Sequence, residues 1–214
     1  MKLNVVNLPA IDKPLRSSPG FAKKRLSDYA LDILGLCEYG CRYCSSNAGN
    51  FLRIRREEFA NATEQQLGTR TYPSTDPKLT FHWPDVLGKL EALLDGKRLG
   101  WGEGRTVVFS MLTDGFSPSM VADGTTRRAL ELLIARTGLR IRVLTKNACV
   151  GSNYWIEFFS QYPGRFVVGL SIGPSGPSRC QPSTALASRS TISRSAASAF
   201  SGLAGSSFST SPIR

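Results

Sequence analysis

The alternation of strand-like and helix-like segments is the feature that most constrains how this chain can fold. Short runs of β-branched and aromatic residues at 105–111, 139–145 and 165–172 predict buried strands. The segments between them carry apolar residues at helical spacing, which predicts a helix in each connection. Strands that alternate with helices predict a parallel sheet with right-handed crossovers, and the active site of such a fold lies at the carboxyl ends of its strands.

The predicted elements extend toward the amino terminus, where the pattern is weaker. A strand is predicted at 29–36, directly before a group of cysteines. Prolines and a glycine interrupt residues 1–27, which predicts irregular structure, and the polar stretch 37–77 predicts a long loop with short helical pieces. The predicted helices span 84–98, 123–137 and 152–161. The predicted fold class is therefore α/β, with about four parallel strands.

The composition changes abruptly after Gly173. Residues 174–214 hold 13 serines in 41 positions, four arginines and no acidic residue. Such a segment cannot bury enough apolar surface to offset the entropy of ordering it, so a disordered tail is predicted. A shift of the coding frame near Ser175 is the alternative explanation. The predicted organisation is an irregular segment at 1–27, an α/β domain at 28–173 and a Ser/Arg-rich tail at 174–214.

The charge of the chain is strongly positive, with a formal net value of +11 at pH 7. A basic surface attracts nucleic acid through the release of counterions, and a soluble protein of high isoelectric point without such a partner is the alternative. The basic residues are scattered, apart from the runs at 23–25 and 53–56. No apolar run reaches the roughly 20 residues that span a membrane, and the first residues do not resemble a secretory signal. We therefore expect a cytoplasmic protein with no membrane partner.

The cysteines indicate a metal site. Three of the five, Cys37, Cys41 and Cys44, fall within eight residues, and in a cytoplasmic protein such clustering favours a metal over disulfides. Three thiolates on a short loop can bind three irons of a [4Fe-4S] cluster, which leaves one iron open to a cofactor or substrate. Structural zinc is the alternative, but it needs four ligands, and His82, the one histidine, has no partner at ligand spacing.

The cysteine segment has the spacing C-x3-C-x2-C, with the aromatic Tyr43 just before the last cysteine. This motif is the signature of the radical S-adenosylmethionine (SAM) enzymes, and the chain resembles the spore photoproduct lyase-like branch of that superfamily. Three further segments are similar to the ends of the second, third and fourth strands in that branch: 109–118, 143–147 and 168–173. The resemblance covers about residues 28–173.

The resemblance implies a partial parallel (β/α) barrel of the radical SAM type, with the cysteine loop after the first strand. It implies a [4Fe-4S] cluster and SAM as cofactors, with SAM chelating the open iron through its amino and carboxylate groups. An electron donor of the flavodoxin or ferredoxin type would reduce the cluster. Cleavage of SAM would then give a 5′-deoxyadenosyl radical that takes hydrogen from an unknown substrate. The protein's share is to hold SAM against the cluster and to exclude water.

Four residues match positions that contact SAM in that branch: Thr113, Asp114, Lys146 and Ser171. A hydroxyl and a carboxylate at 113–114 suit the amino group and ribose hydroxyls of SAM, and the ammonium of Lys146 suits its carboxylate. Ser171 can add a hydrogen bond. Each residue also has a purely structural interpretation, such as a turn at 114–115 or a solvated strand end at Lys146.

The chain departs from the family pattern in two places. The photoproduct lyases carry a hydrogen-donating cysteine in the second-strand segment, where this chain has Met111 and Leu112, which argues against thymine-dimer repair. The family barrel also has two more strands after the fourth, and they are not recognisable at 174–214. We therefore predict a partial barrel with an uncovered sheet edge and poor turnover of SAM. Cys149 is interpreted as a small buried residue. Two other functions stay open: a zinc-containing basic nucleic-acid-binding module, and a non-catalytic cluster-binding fragment.

Overall fold

Strands and helices alternate through most of the chain, as the sequence pattern predicts. A computed structural model describes residues 4–41, 43–72, 75–76 and 79–172. The strands in these ranges are β1 (Asn4–Asn7), β2 (Leu15–Ser17), β3 (Tyr29–Leu31), β4 (Leu79–His82), β5 (Thr106–Phe109), β6 (Arg140–Thr145) and β7 (Phe166–Leu170). The helices are α1 (Pro19–Lys23), α2 (Ser45–Ala48), α3 (Asn50–Leu67), α4 (Val86–Asp95), α5 (Pro118–Ala122), α6 (Thr125–Arg136) and α7 (Asn153–Ser160), and Ala148–Gly151 forms a 3₁₀ turn.

The main sheet is mostly parallel, so the predicted α/β class is confirmed. Its strand order is β2-β3-β5-β6-β7, and only β2 runs antiparallel to its neighbour. From β3 to β7 each new strand is added on the same side of the previous one. A helix connects each consecutive pair of these strands, because a parallel pair cannot be joined by a tight hairpin.

The side chains of β5 and β6 alternate between two faces of this sheet. Val107 and Ile141 are register partners on one face, where they pack into the main core together with residues of α4 and α6. Thr106 is the register partner of Arg140 on the other face, and Arg142 lies on that face too because it is two residues along the strand. The helices therefore cover one face, and the opposite face carries basic side chains.

The prediction of irregular structure at 1–27 is wrong. β1 pairs in parallel with β4 in a separate two-stranded sheet, and β2 extends the main sheet at the β3 edge. Residues 9 and 14 are prolines that lie between these strands rather than within them. The pairing of β1 with β4 joins segments far apart in sequence, and local composition carries no information about it.

The prediction of a long loop at 37–77 is also wrong, because α3 is an 18-residue helix. Its buried face is narrow and includes Leu52, Phe59 and Thr63, so its hydrophobic stripe is too thin to give a clear helical period. Phe59 packs on Phe81 of β4 with the ring centroids 4.4 Å apart. The helix ends at Gly68, whose φ of 73° is the left-handed conformation that favours glycine.

The other predicted elements are confirmed, although their bounds are shorter. The predicted strand at 29–36 ends at Leu31, because the backbone at 35 and 36 turns away to hydrogen-bond with Phe81. All described residues belong to one compact unit. The predicted tail at 174–214 lies outside the described residues. Within the part of the chain that is described, every helix is too short or too polar to cross a lipid bilayer.

Candidate functional site

The cysteine loop lies at the carboxyl edge of the main sheet. It follows β3, and the segments after β5, β6 and β7 end at the same edge because these strands are parallel. The structure therefore brings the loop next to the segments that hold Asp114, Lys146 and Ser171. This is the arrangement that the sequence pattern predicts.

Hydrogen bonds shape the second half of the cysteine loop into a turn. The amide N–H of Cys44 donates to the carbonyl of Cys41 at 3.0 Å, and the side-chain amide of Asn47 donates to the same carbonyl at 3.1 Å. Helix α2 begins directly after Cys44. The side chain of Cys41 is buried, whereas Cys37 and Cys44 are partly exposed. The three cysteines of the loop therefore differ in exposure, and Cys41 is the most buried residue of the three.

Two polar contacts attach the loop to the segment that follows β5. Glu38 accepts hydrogen bonds from the amide and the hydroxyl of Ser119, at 2.6 and 3.0 Å. The hydroxyl of Ser46 donates to the carbonyl of Leu112 at 2.5 Å. Sequence reasoning missed both Glu38 and Ser46, because nothing in their spacing distinguishes them from ordinary loop residues. Together they hold the two ends of the cysteine loop in place.

The thiol of Cys37 lies in a largely apolar environment. Its pKa is raised to about 12, mainly by burial; the backbone N–H groups of Asp114 and Tyr39 lower this pKa, and the charges of Asp114 and Cys44 contribute to the increase. Cys37 is therefore protonated at neutral pH in this structure. Asp114 and Cys44 influence its pKa because both lie close to it.

Cys149 lies near the same carboxylate. Burial and then the charge of Asp114 raise its pKa to about 11, and a hydrogen bond with Trp155 lowers it. Its side chain is only partly buried, at the edge of the main core. The structure thus places a fourth thiol beside the carboxyl edge of the sheet. It lies close to Asp114, whose charge also raises the pKa of Cys37.

Asp114 has a structural role in this arrangement. One carboxylate oxygen accepts from the amide of Phe116 at 3.0 Å, and the other accepts from the amide of Lys146 at 2.8 Å. Its side chain is buried, and this burial raises its pKa. Asp114 therefore links the end of β5 to the end of β6. The hydroxyl of Thr113 likewise donates to the carbonyl of Leu34 at 3.3 Å, so both predicted contact residues already have partners within the chain.

Lys146 reaches the surface beside the cysteine loop. Its ammonium donates to the hydroxyl of Tyr43 and lies 4.7 Å from the centroid of that ring, a cation–π contact. The hydroxyl of Ser171 is 3.5 Å from the same ammonium. Tyr43 is 62% exposed, and Lys146 and Ser171 are partly exposed, so this group of three residues lies near the surface at the edge of the sheet. A positive charge with two hydroxyls suits a carboxylate ligand.

Asp32, which sequence reasoning missed, connects three parts of the edge. It directly follows β3 and is completely buried. Its carboxylate accepts from the guanidinium of Arg16 in β2 at 2.5 Å and from the amide of Leu112 at 3.1 Å. The sequence does contain a signal for Asp32, because it is an acidic residue inside the apolar segment 29–36. A carboxylate buried in such a segment needs a hydrogen-bonding or charged partner.

The donor types of the cysteine loop fit an iron–sulfur cluster, but their present arrangement is not that of a formed metal site. Among the described residues, no three His, Cys, Asp or Glu side chains are arranged to hold a metal ion. Thiolate sulfur is the standard ligand of such clusters, and the loop offers three thiols over eight residues. Cluster binding therefore requires the loop to bring its three thiols closer together than they are in this structure.

Gly115 lies where the segment after β5 packs most closely on the strand. A Cβ atom at this position would lie 2.4 Å from the hydroxyl of Ser110 and 2.5 Å from the ring of Phe109. We expect Gly115→Ala to lower the free energy of unfolding by about 1–3 kcal/mol, because the packed core must move to accept the methyl group. Urea unfolding measures this change. Gly151→Ala is the control, since nothing lies within 4 Å of its Cβ position, and equal losses in both variants would contradict the prediction.

The chain matches no protein-family model, no curated protein and no solved structure. These comparisons assign neither a family nor an activity. The functional assignment rests on the motif residues and on the geometry at the carboxyl edge of the sheet.

Proposed function

We propose that this protein binds a [4Fe-4S] cluster through Cys37, Cys41 and Cys44, and SAM beside it, in the manner of a radical SAM enzyme. One observation carries this proposal. The C-x3-C-x2-C loop follows the first parallel strand of the main sheet, and Lys146 directly follows the third parallel strand, β6, at the same edge. The cysteine loop and the ammonium of Lys146, which can bind a carboxylate, thus lie at one edge of the sheet. This is the edge at which parallel α/β folds bind ligands.

The strand order supports a partial (β/α) barrel as the finer description of the fold. In a doubly wound sheet the order reverses near the middle, and ligands bind at that reversal. Here the parallel strands β3, β5, β6 and β7 follow one another in sequence order with no reversal. In a singly wound barrel each new strand is added on the same side of the previous strand, and the helices cover only one face of the sheet. The basic face opposite the helices then corresponds to the barrel interior.

The anchors of the cysteine loop limit the change that cluster binding requires. Glu38 is fixed to Ser119, and Ser46 is fixed to the carbonyl of Leu112. Cys41 and Cys44 lie between these two anchors together with Gly40, whose φ of 58° is a conformation that favours glycine, and Cys37 directly precedes the first anchor. Ligand binding that orders a short flexible loop is common at metal sites, because binding the metal stabilises the ordered form.

Lys146 and Ser171 are the residues best placed to hold SAM. The ammonium of Lys146 can exchange its contact with Tyr43 for the carboxylate of SAM, and Ser171 is within reach of the same group. Asp114 acts as a positioning residue, since its carboxylate holds the backbone of Lys146. The chemistry that the bound cofactors would supply is one-electron cleavage of the carbon–sulfur bond of SAM, with the electron coming from a donor of the flavodoxin or ferredoxin type.

Anaerobic reconstitution with iron and sulfide tests the proposal. About four irons per chain, with an absorption spectrum that SAM perturbs, are expected for a radical SAM site. Four irons with no response to SAM would indicate a cluster-binding protein without the chemistry. Zinc in place of iron would indicate the basic nucleic-acid-binding module instead.

Removal of the Lys146 charge should weaken SAM binding without affecting the metal. We expect Lys146→Ala to lower SAM affinity by about tenfold or more, since a hydrogen bond to a charged group is worth about 1.5–3 kcal/mol. Iron content should stay unchanged. Lys146→Arg should retain most of the affinity, and Lys89→Ala, on the exposed surface of α4, is the control for loss of one positive charge. Spectral titration with SAM measures the affinities, and equal effects of Lys146→Ala and Lys89→Ala would refute the assigned role.

A further inference from the structure

Strand β7 forms an edge of the main sheet in the part of the chain that the structure describes. It pairs in parallel with β6, and no second described strand lies beside it. An uncovered strand presents backbone N–H and C=O groups that can pair with another strand. We propose that β7 pairs in antiparallel orientation with β7 of a second copy of this chain, so that the protein forms a symmetric dimer through this edge.

The hydrogen bonds of β7 show which of its backbone groups are directed away from β6. The carbonyl of Arg165 accepts from the amide of Ile141 at 2.7 Å, and the amide of Ser171 donates to the carbonyl of Thr145 at 2.7 Å. Successive residues of a strand direct their backbone groups to opposite sides, so the odd-numbered residues bond to β6. The backbone groups of the even-numbered residues are therefore directed to the open edge: Phe166, Val168 and Leu170.

Exposed apolar side chains surround this edge on both faces of the sheet. Leu170 is exposed on the face that the helices cover, and Ile172, two residues further along, is 86% exposed. Val167 is the register partner of Arg142 and is exposed on the opposite face, together with Leu144 of β6. Monomeric proteins rarely expose apolar side chains in such a group, so the group indicates a surface that another protein chain covers.

The sequence of β7 lacks the features that protect edge strands from pairing. Such strands usually carry a lysine, a proline or a β-bulge. Residues 166–172 contain no charged residue and no proline. The register of β7 with β6 is continuous from Phe166 to Leu170, without a bulge. The strand can therefore accept a partner along its whole length.

The position of the charge next to β7 is compatible with a second copy of the same strand. Arg165 directly precedes β7, and its guanidinium donates to the carbonyls of Leu139 and Thr137 at 2.9 and 2.8 Å. In an antiparallel pair centred on Val168, the two Arg165 residues lie at opposite ends of the paired strands, about 20 Å apart. This separation exceeds the Debye length of about 8 Å at physiological ionic strength, so repulsion between the two arginines is weak.

An antiparallel pair of two β7 strands is also self-complementary. When the pair is centred on Val168, Phe166 lies opposite Leu170 of the partner subunit, and Val168 lies opposite its own copy. These residues direct their N–H and C=O groups outward, so each can exchange two hydrogen bonds with the residue opposite. The twofold axis is perpendicular to the sheet, which keeps the helices of both copies on one face. The exposed side chains of Leu170 and Ile172 from both copies then meet on that face.

The small size of this interface and the charge of the chain determine how the dimer should respond to conditions. Pairing of one short strand buries an area near the lower limit for specific complexes, about 1,000 Å², so we expect the dimer to dissociate on dilution. The net charge of +11 on each copy opposes association. Added salt screens this repulsion and should strengthen the dimer, whereas salt would weaken a complex with an acidic partner protein.

Sedimentation velocity over a range of protein concentrations, at low and at physiological salt, tests the proposal. We expect Leu170→Lys to raise the dissociation constant of the dimer about tenfold or more, because it places a charge at the paired edge opposite Phe166 of the partner subunit. Leu99→Lys is the matched control. It makes the same change at a leucine that is 93% exposed in the turn between α4 and β5, and it should leave the dissociation constant unchanged.

A second variant tests the backbone pairing directly. Val168→Pro removes an N–H that is directed to the open edge, so the hydrogen bonds between β7 and β6 can be retained. It should abolish the dimer, and circular dichroism should show a folded monomer. Residue-resolved hydrogen exchange of the wild-type protein should show protection of the Val168 and Leu170 amides that is lost on dilution. Protection of the Ser171 amide, which donates to Thr145 within the chain, should not depend on concentration.

Several outcomes would overturn the proposal. A monomer at every concentration with protected Val168 and Leu170 amides would show that another segment of the same chain pairs with β7. A monomer in which these amides exchange freely would show that the edge stays open. A dimer that Leu170→Lys and Leu99→Lys weaken equally, or that salt weakens, would be formed through another surface. None of these variants changes a cysteine or Lys146, so the result is independent of the cluster assignment.

Discussion

Replacing Cys37, Cys41 and Cys44 together with alanine is expected to reduce iron loading from about four irons per chain to background. The three thiolates would be the only protein ligands of the cluster, and alanine offers no donor atom. Far-ultraviolet circular dichroism should show that the variant remains folded, since two of these side chains are only partly buried. Iron and acid-labile sulfide assays after anaerobic reconstitution measure the loss. A folded triple variant that still bound about four irons would refute the assignment.

Cys149→Ala is the control that separates an iron–sulfur cluster from a zinc site. Among the described residues, Cys149 is a second thiol near Asp114 besides Cys37, and it could complete a set of four cysteine ligands if the site were built for zinc. A radical SAM cluster needs three thiolates, so Cys149→Ala should keep its full iron content. If Cys149→Ala lost its metal together with the triple variant, and the metal were zinc, the site would be a four-cysteine zinc site.

Removal of the Arg16 guanidinium is expected to cause the largest loss of stability. Arg16 lies 2.5 Å from the carboxylate of Asp32, whose side chain is 0% exposed while that of Arg16 is 36% exposed. Without its partner, the Asp32 carboxylate would stay buried with no neutralising charge. We expect Arg16→Met to lower the free energy of unfolding by about 3 kcal/mol, as measured by urea unfolding at neutral pH.

Two further variants make this measurement decisive. Arg136→Ala removes an ion pair with Asp95 between two half-exposed side chains, and should cost about 0.5 kcal/mol or less because water screens such pairs. The double variant Arg16→Met/Asp32→Leu removes both charges, and should recover much of the stability that Arg16→Met loses. A loss in Arg16→Met no larger than that in Arg136→Ala would show that the buried pair contributes little.

Local pattern was sufficient to predict the part of the fold that surrounds the main core. The helices α4, α6 and α7 and the strands from β5 to β7 have apolar residues at regular spacing, because each buries one face against the same core. The cysteine loop was predicted to follow the first parallel strand directly, and it does follow β3, but five residues separate Leu31 from Cys37. The sequence was less informative for α3, since few of its residues are apolar, and for β1, since its partner strand is remote.

The polar contacts of the candidate site could not be predicted from the sequence. Glu38, Ser46 and Asp32 act through partners about 66 to 81 positions away or in another strand, and a lone acid or serine has no spacing signal. The structure also changes the interpretation of Asp114. Its sequence context suggested a cofactor contact or a turn, whereas its carboxylate accepts backbone hydrogen bonds that join two strand ends.

The pairing of β1 with β4 has a consequence for how the protein folds. Asn4 is the register partner of Leu79, 75 positions further along the chain. Closing so long a loop costs entropy before the pair contributes any stability, and distant contacts of this kind slow folding. During synthesis, the first strand therefore leaves the ribosome well before its partner exists. Strand β1 stays unpaired until β4 has been synthesised. We expect its amide groups to be among the last in the chain to become protected from hydrogen exchange during folding.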